Sequence, residues 1–107
     1  MQIDAIVKRR VLIFYFNGEL DECTADYSRK RLDSKIDNTN YDCVVFDFAK
    51  MPFMDSTGIG MLIGRYKKLN KRNIKAYIQN TCIQVEKILR MTGIYDIMPK
   101  LSNSEVV

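Results

Sequence analysis

The segment from Val44 to Tyr66 constrains the fold of this chain more strongly than any other part of the sequence. It begins with an apolar run, 44–48, that is typical of a buried strand. A turn containing Pro52 follows, and from Asp55 onward apolar residues recur at the spacings of an amphipathic helix. A strand that passes through a short turn into a helix is the building unit of α/β proteins, so we expect that fold class.

The rest of the pattern extends this unit to the order β-β-α-β-α-β-α. The predicted strands are 2–7, 11–17, 43–48 and 74–78. The predicted helices run from a cap at Thr24 to about residue 38, from about residue 57 to 71, and from a cap at Thr81 or Asn80 to about Met91. Strands joined through helices predict a mixed, mostly parallel central sheet, with the N-terminal pair as an antiparallel edge. We expect one domain, 1–107.

The helix faces and the C-terminal end give further expectations. The apolar stripe of the first helix is expected to include Tyr27 and Leu32, and that of the third helix Ile83 and Val85. Gly93 is expected to end the third helix, as glycine commonly does just after a helix. A short extended piece, 94–101, is predicted next, and the last residues are expected to be frayed.

Composition limits the chemistry that the chain can carry. It has no histidine, and its three cysteines stand alone in the sequence, at Cys23, Cys43 and Cys82. A structural zinc site needs four ligands of these types, so we expect neither a metal nor a cofactor. An odd number of cysteines without a visible secretory signal fits reduced thiols in a cytoplasmic protein. The longest apolar run, 11–16, is far shorter than a membrane span.

Much of the net charge of +4 comes from a basic run, 67–75, at the end of the second predicted helix and just after it. Its basic residues are Lys67, Lys68, Lys71, Arg72 and Lys75. We expect most of them to form a solvated face. A nucleic-acid surface would have aromatic residues interleaved with the basic ones, and only Tyr66 and Tyr77 flank this run. Direct binding of nucleic acid is therefore not expected.

The glycines of the central segment do not form a nucleotide-binding motif. After Gly58 and Gly60, the dinucleotide pattern requires a third glycine at the position that Ile63 occupies. The sequence also lacks the Gly-Lys-Ser/Thr of a P-loop. Ser56 has no histidine to serve as its base, so nucleophilic catalysis lacks a necessary part. We therefore expect that the protein is not an enzyme.

Three carboxylates could form an acid/base pair, but simpler roles explain them. Asp47 and Asp55, with Asp21 across the sheet, are explained by structural and capping functions. Asp55, Ser56 and Thr57 stand together at a predicted helix start, where free backbone N–H groups favour either a capping side chain or a phosphate. These two interpretations lead to different functions.

Two glycines in the first turns of this helix require an explanation. Each helical glycine costs up to about 1 kcal/mol relative to alanine. Close packing of the helix on the sheet is one explanation for Gly58 and Gly60. The other is that the backbone of another protein, or a kinase active site, approaches Ser56 closely.

The block 53–60, Phe-Met-Asp-Ser-Thr-Gly-Ile-Gly, resembles the signature of the STAS family, the anti-sigma factor antagonists. The segment 64–67, Gly-Arg-Tyr-Lys, is similar to the sporulation branch of that family, which antagonises the anti-sigma-F factor. Similarity at 18–25, around Gly-Glu-Leu-Asp, and at 91–94, Met-Thr-Gly-Ile, extends the resemblance over nearly the whole chain.

The resemblance implies a switch controlled by phosphorylation. In that family the anti-sigma factor, a serine kinase, phosphorylates the serine that corresponds to Ser56, and a dedicated serine phosphatase restores it. The unphosphorylated antagonist binds the anti-sigma factor and releases the sigma factor. The residues implied at the partner-binding surface are Asp21, Asp55, Ser56, Thr57, Gly58 and Gly60. Thr57 is a second hydroxyl and the alternative acceptor.

One departure and two alternatives remain. The sporulation antagonists are usually acidic, whereas this chain has a pI of about 9.0. The general-stress antagonists of sigma-B type share Asp-Ser-Thr-Gly and form the first alternative. The second is a STAS module that binds a small ligand or nucleotide. A STAS domain serving a transporter is disfavoured, because no membrane segment is visible.

Overall fold

The structure is a computed structural model that describes residues 1–101, and the predicted frayed end lies outside the described residues. The elements follow in the predicted order: β1 (Gln2–Lys8), β2 (Val11–Asn17), α1 (Ala25–Asn38), β3 (Cys43–Lys50), α2 (Ser56–Lys71), β4 (Lys75–Gln79) and α3 (Ile83–Thr92). A single 3-10 turn, Ile94–Asp96, follows α3. The α/β fold class is therefore confirmed.

The strands form one mixed sheet in the order β1-β2-β3-β4. β1 and β2 pair antiparallel, and β2-β3 and β3-β4 pair parallel, as predicted. The β1–β2 connection is a two-residue turn in which Arg9 and Arg10 have φ values of 53° and 67°. A tight hairpin needs this left-handed conformation, which asparagine and glycine adopt more readily than arginine. The residues of this turn, Arg9 and Arg10, are therefore only weak predictors of a hairpin.

The core lies between one face of the sheet and the helices. Alternate residues of β2 and β3, among them Phe14, Phe16, Phe46 and Phe48, are fully buried on that face. Phe14 stacks on Phe46 with ring centroids 5.8 Å apart, and Phe16 meets Phe48 edge to face at 5.1 Å. Leu32 of α1, Leu62 of α2 and Leu89 of α3 are buried in the same cluster.

Two expectations about helix faces were wrong. Tyr27 is 51% exposed, and Ser28 takes its place on the face of α1 that points to the core, beside Leu32 and Ile36, which were expected there. Ser28 hides this i, i+4 spacing because a small polar residue takes a buried position. Ile83 is 73% exposed, since it is the first residue of α3 and precedes the turn that packs on the core.

The segment around α3 also differs in detail from the prediction. Cys82, rather than Thr81 or Asn80, occupies the position before α3. Gly93 ends the helix with a left-handed φ of 73°, as expected. The predicted extended piece begins instead with the 3-10 turn, and its last residues then run beside β4, where the Leu101 N–H donates to the Ile78 carbonyl at 2.8 Å. Within residues 1–101 no helix has the length and apolar character needed to cross a bilayer.

Candidate functional site

Helix α2 begins at the carboxyl end of β3 with a capping carboxylate. Asp55 Oδ1 accepts hydrogen bonds from the N–H groups of Thr57, at 2.9 Å, and Gly58, at 3.1 Å. Ser56 is the first residue of the helix and is exposed. Because the carboxylate of Asp55 caps the helix, the hydroxyl of Ser56 is not needed for that purpose. The capping role at this helix start therefore belongs to Asp55.

A short extension of the sheet places Asp21 beside this helix start. Leu20, which follows β2, pairs in parallel with Met54, which follows β3. The Leu20 N–H donates to the Phe53 carbonyl at 3.0 Å, and the Asp55 N–H donates to the Leu20 carbonyl at 3.2 Å. Asp21 and Asp55 each come one residue after this pair. Two residues that are 34 positions apart in the sequence therefore lie at the same end of the sheet, just beyond the carboxyl ends of β2 and β3.

The carboxylate of Asp21 organises the turn before α1. Its Oδ1 accepts hydrogen bonds from the N–H groups of Cys23, at 2.9 Å, and Thr24, at 3.1 Å. Thr24 stands at the N-cap position of α1, but its side chain makes no capping bond. Its hydroxyl instead donates to the Glu19 carbonyl at 2.8 Å. The predicted cap by Thr24 is therefore wrong in mechanism, because Asp21 already holds the backbone of this turn.

Gly58 is required for packing inside the protein. A Cβ atom at this position would lie 2.8 Å from Met54 Cγ, 2.9 Å from Leu20 Cγ and 3.0 Å from the Leu20 carbonyl oxygen. The first turn of α2 therefore contacts the same Leu20–Met54 bridge that positions the two aspartates. For this glycine the close-packing explanation is sufficient.

Gly60 and Gly64 differ from Gly58, because a Cβ atom at either would meet no atom within 4 Å. They lie one helical turn apart on α2 and line an open groove of about 400 Å³ between α1 and α2. The groove is also lined by Glu22, Ala25, Asp26, Arg29, Thr57, Met61 and Arg65. Of the predicted partner-binding residues, Thr57 and Gly60 face this groove. The contribution of α1 to it was missed, since no motif marks those residues.

Ion pairs join α1 to α2 beyond the groove. Arg65 Nε lies 3.0 Å from Asp33, and Lys68 lies 3.3 Å from the same carboxylate. Asp37 accepts from Lys68 and Arg72 at 2.8 Å each, and these hydrogen bonds hold the pKa of Asp37 below its usual value. Part of the basic run expected to be solvated is thus paired with α1.

Asp47 has a structural role away from the helix start. It is buried, and its Oδ2 accepts from Gln79 Nε2 at 2.9 Å and Asn80 Nδ2 at 2.8 Å. Its Oδ1 accepts from the Ala49 N–H at 2.9 Å. These bonds tie β3 to β4 and to the loop before α3. None of these hydrogen bonds involves Asp21 or Asp55, and they agree with the structural role expected for Asp47.

Residues 2–106 match the family described as STAS domain. An anti-sigma F factor antagonist from Paenibacillus polymyxa is 34% identical over 96% of this chain and 88% of its own length. An anti-sigma-B factor antagonist from Staphylococcus epidermidis is 30% identical over 83% of this chain and 82% of its own length.

Among solved structures, the fold resembles that of the anti-sigma factor antagonist SpoIIAA in its unphosphorylated form. That similarity has a TM-score of 0.80 at 23% identity and covers 97% of this chain and 91% of that one. The phosphorylated form of SpoIIAA matches with a TM-score of 0.71 at 22% identity and covers 97% and 95% of the two chains.

Proposed function

The chain belongs to the STAS family, and we propose that it is an anti-sigma factor antagonist. In this proposal the unphosphorylated protein binds an anti-sigma F factor, a serine kinase, and so releases sigma F. Phosphorylation of Ser56 by that kinase switches it off, and a serine phosphatase restores it. The observation that carries the proposal is the exposed hydroxyl of Ser56 at the start of α2, with Asp55 as the cap.

The electrostatics of the helix start explain how the switch operates. A phosphate on Ser56 adds about −1.5 to −2 charges at neutral pH. The two N–H groups that Asp55 engages are not available to it. The phosphate therefore lies beside Asp55 and near Asp21 as a concentrated negative charge. A partner that docks on this edge meets repulsion, while the positive end of the helix dipole keeps the fold compatible with the phosphate.

The groove supports a docking role for the surface next to Ser56. Gly60 is exposed, and no side chain there separates the backbone of α2 from a partner. A glycine in the middle of a helix is costly unless a close approach requires it. Leu20 and Met54 approach Gly58 this closely inside the protein, whereas no atom of the protein comes within 4 Å of a Cβ position at Gly60 or Gly64. We infer that the partner's backbone packs against these two positions, with Asp21 and Thr57 at the edge of the contact.

A general-stress antagonist is the second candidate. The observation that favours it is the 30% identity to the anti-sigma-B factor antagonist. The same serine would be the acceptor in both cases, so the two candidates differ only in which kinase they bind. Parallel tests with an anti-sigma F kinase and an anti-sigma B kinase distinguish them.

The test is the intact mass of the protein after incubation with the kinase and ATP. We expect the wild-type protein and Thr57→Val to gain one phosphate, and Ser56→Ala to gain none. A phosphate on Ser56→Ala but not on Thr57→Val would move the acceptor to Thr57. If none of the three proteins gains mass with either kinase, while all three remain folded, the proposal fails and a ligand-binding STAS module becomes the better candidate. A thermal-shift screen with nucleotides then tests that module, since a ligand of the folded state raises its melting temperature.

The binding half of the proposal needs a separate measurement. Unphosphorylated protein is expected to bind the kinase in the presence of ADP, and the form phosphorylated on Ser56 is expected to bind it at least about tenfold more weakly, as charge repulsion at an interface predicts. Equal affinity of the two forms would contradict the switch even if Ser56 were the acceptor.

A further inference from the structure

One face of the sheet carries no helix within residues 1–101. Successive side chains of a strand point to opposite faces, so Leu12, Phe14 and Phe16 share the core face of β2. Every buried apolar residue of the described helices belongs to the cluster on that face. Ile13 of β2 and Val45 of β3 are buried as well, but they lie outside this cluster. They belong to the opposite face, which we call the open face.

The register of the strands arranges the open face in rows. The central row runs across all four strands and is apolar: Ile6, Ile13, Val45 and Tyr77. Ile6 is 51% exposed, and Tyr15, which lies next to this row, is 38% exposed. Large apolar side chains are thus accessible at the β1–β2 side of the open face, where a partner would cover them.

The rows on either side of the apolar row carry opposite charges. The row on one side is Asp4, Tyr15, Asp47 and Gln79, and the row on the other side is Lys8, Val11, Cys43 and Lys75. Asp4 and Lys8 are both exposed, and both lie on the edge strand β1. The exposed charges of β1 on the open face are therefore Asp4 on one side of the apolar row and Lys8 on the other.

We propose that the open face binds a second copy of this chain, face to face and with the strands of the two copies running antiparallel. A twofold axis between the sheets, perpendicular to the strands, superposes the apolar rows of the two copies. It also places Asp4 opposite the second copy's Lys8, and Lys8 opposite the second copy's Asp4. Sheets that pack in this way lie about 10 Å apart, a distance that aspartate and lysine side chains span. The contact is self-complementary, as a twofold interface requires.

Two further features agree with this arrangement. A hollow of about 420 Å³ lies on the Asp4 side of the open face and is lined by Asp4, Tyr15, Asp47 and the exposed Lys50, among others. The same twofold axis brings the second copy's β1–β2 turn, which contains Arg9, over this hollow. With the strands parallel instead, a twofold axis through the middle of the sheet would place β1 opposite the second copy's β4, so Lys8 would face the second copy's Lys75, and like charges in register are destabilising.

The open face lies on the side of the sheet away from α2, so the dimer leaves Ser56 accessible. The inference therefore does not depend on the proposed function. The test is sedimentation velocity of the full chain over about a hundredfold range of concentration, because self-association depends on protomer concentration. The variants are Asp4→Lys, Lys8→Asp and the double exchange Asp4→Lys/Lys8→Asp.

We expect the wild-type chain to form a dimer, and each single exchange to raise the dissociation constant by about tenfold, since like charges then face each other. The double exchange restores the opposite pairing and is expected to return the constant to within about threefold of wild type. The two single exchanges move the net charge in opposite directions, so an effect of overall charge would have opposite signs in the two. Circular dichroism and melting temperature confirm that the variants are folded.

Three results would overturn the proposal. The first is a wild-type chain that stays monomeric over the whole concentration range. The second is a dimer whose dissociation constant is unchanged by the single exchanges, which would place the contact elsewhere. The third is a double exchange that stays as weak as the single ones, which would exclude the antiparallel arrangement.

Discussion

At the scale of single residues, the start of α2 divides two tasks between neighbouring side chains. Asp55 accepts from two free N–H groups of the helix, those of Thr57 and Gly58, and Ser56 is exposed. Were Ser56 the cap, its modification would remove a bond that the fold needs. In the proposed switch, the charge on Ser56 therefore changes while the Asp55 cap stays in place.

The first prediction separates these two tasks by stability. Asp55→Ala is expected to lower the free energy of unfolding by about 1 kcal/mol, the usual cost of losing an N-cap. Ser56→Ala is expected to change it by less than about 0.5 kcal/mol, since that side chain is exposed and does not cap the helix. Urea unfolding of the two variants measures both values. A larger loss in Ser56→Ala than in Asp55→Ala would show that the serine holds the helix start.

The second prediction concerns Gly58. Its replacement by alanine brings a methyl group to 3.0 Å or less from Leu20 and Met54, including a backbone oxygen that does not move easily. We expect Gly58→Ala to lower the free energy of unfolding by about 1–3 kcal/mol, as overpacking does. Gly60→Ala is the matched control on the same helix, since it meets no atom within 4 Å. Equal stability of the two variants would show that the surroundings of Gly58, formed by Leu20 and Met54, accommodate the methyl group without cost.

At the scale of the elements, α1 and α2 form one unit that carries the groove. Four ion pairs from Arg65, Lys68 and Arg72 to Asp33 and Asp37 hold the two helices together. Such partly exposed pairs contribute little stability individually. Their effect is to fix the relative position of two helices that both line the groove, and so to define the surface that we propose for the partner.

The third prediction tests this surface with the two open glycines. The double variant Gly60→Ala/Gly64→Ala is expected to gain up to about 1 kcal/mol of stability per site, because alanine is the better helix former. It is also expected to bind the kinase at least about tenfold more weakly, since each methyl group blocks a close approach. Calorimetric titration with the kinase and thermal unfolding provide the two measurements. Higher stability with unchanged affinity would place the partner's contact outside the groove.

At the scale of the whole molecule, Glu86 joins three parts of the C-terminal region. It accepts hydrogen bonds from Thr81, before α3, from Tyr95, in the 3-10 turn, and from Lys100, beside β4. Burial opposes ionisation of this carboxyl group, but these hydrogen bonds outweigh it and lower the pKa of Glu86 to about 2. The ionised side chain of Glu86 therefore holds the segment 94–101 to α3.

The fourth prediction follows from that pKa. A carboxyl group whose pKa is lower in the folded state than the ordinary 4.5 contributes stability above pH 4.5, and loses that contribution as the pH falls toward 2. We expect the wild-type chain to exceed Glu86→Gln by about 2 kcal/mol at neutral pH. The difference should shrink steadily below pH 4.5. Urea unfolding of both proteins from pH 7 to pH 3 checks this, and a constant difference would contradict it.

Much of the fold could be predicted because its signals are local. The apolar run at 44–48 and the spacing of Ile59, Leu62 and Leu69 report on neighbouring residues only, and they predicted the order of elements and the sheet correctly. Where a local signal was weak, it gave a wrong helix face in α1 and little support for the β1–β2 hairpin, which the flanking strands nevertheless predicted correctly. Ser28 at a buried position concealed the face of α1, and the left-handed turn at Arg9 and Arg10 lacks the residues typical of one.

The sequence by itself determined the α/β class, the order of the elements along the chain and the serine proposed as the acceptor, since each depends on periodicity or on a contiguous motif. Only the tertiary structure decided which glycine is needed internally and which two are open. It gave the Leu20–Met54 pairing that brings Asp21, implied only by the family resemblance, to the same end of the sheet as Asp55, and it alone left one face of the sheet without a helix in residues 1–101. The physical reason is that these features arise from strand register and from packing between segments that are distant in the chain, which local patterns do not encode.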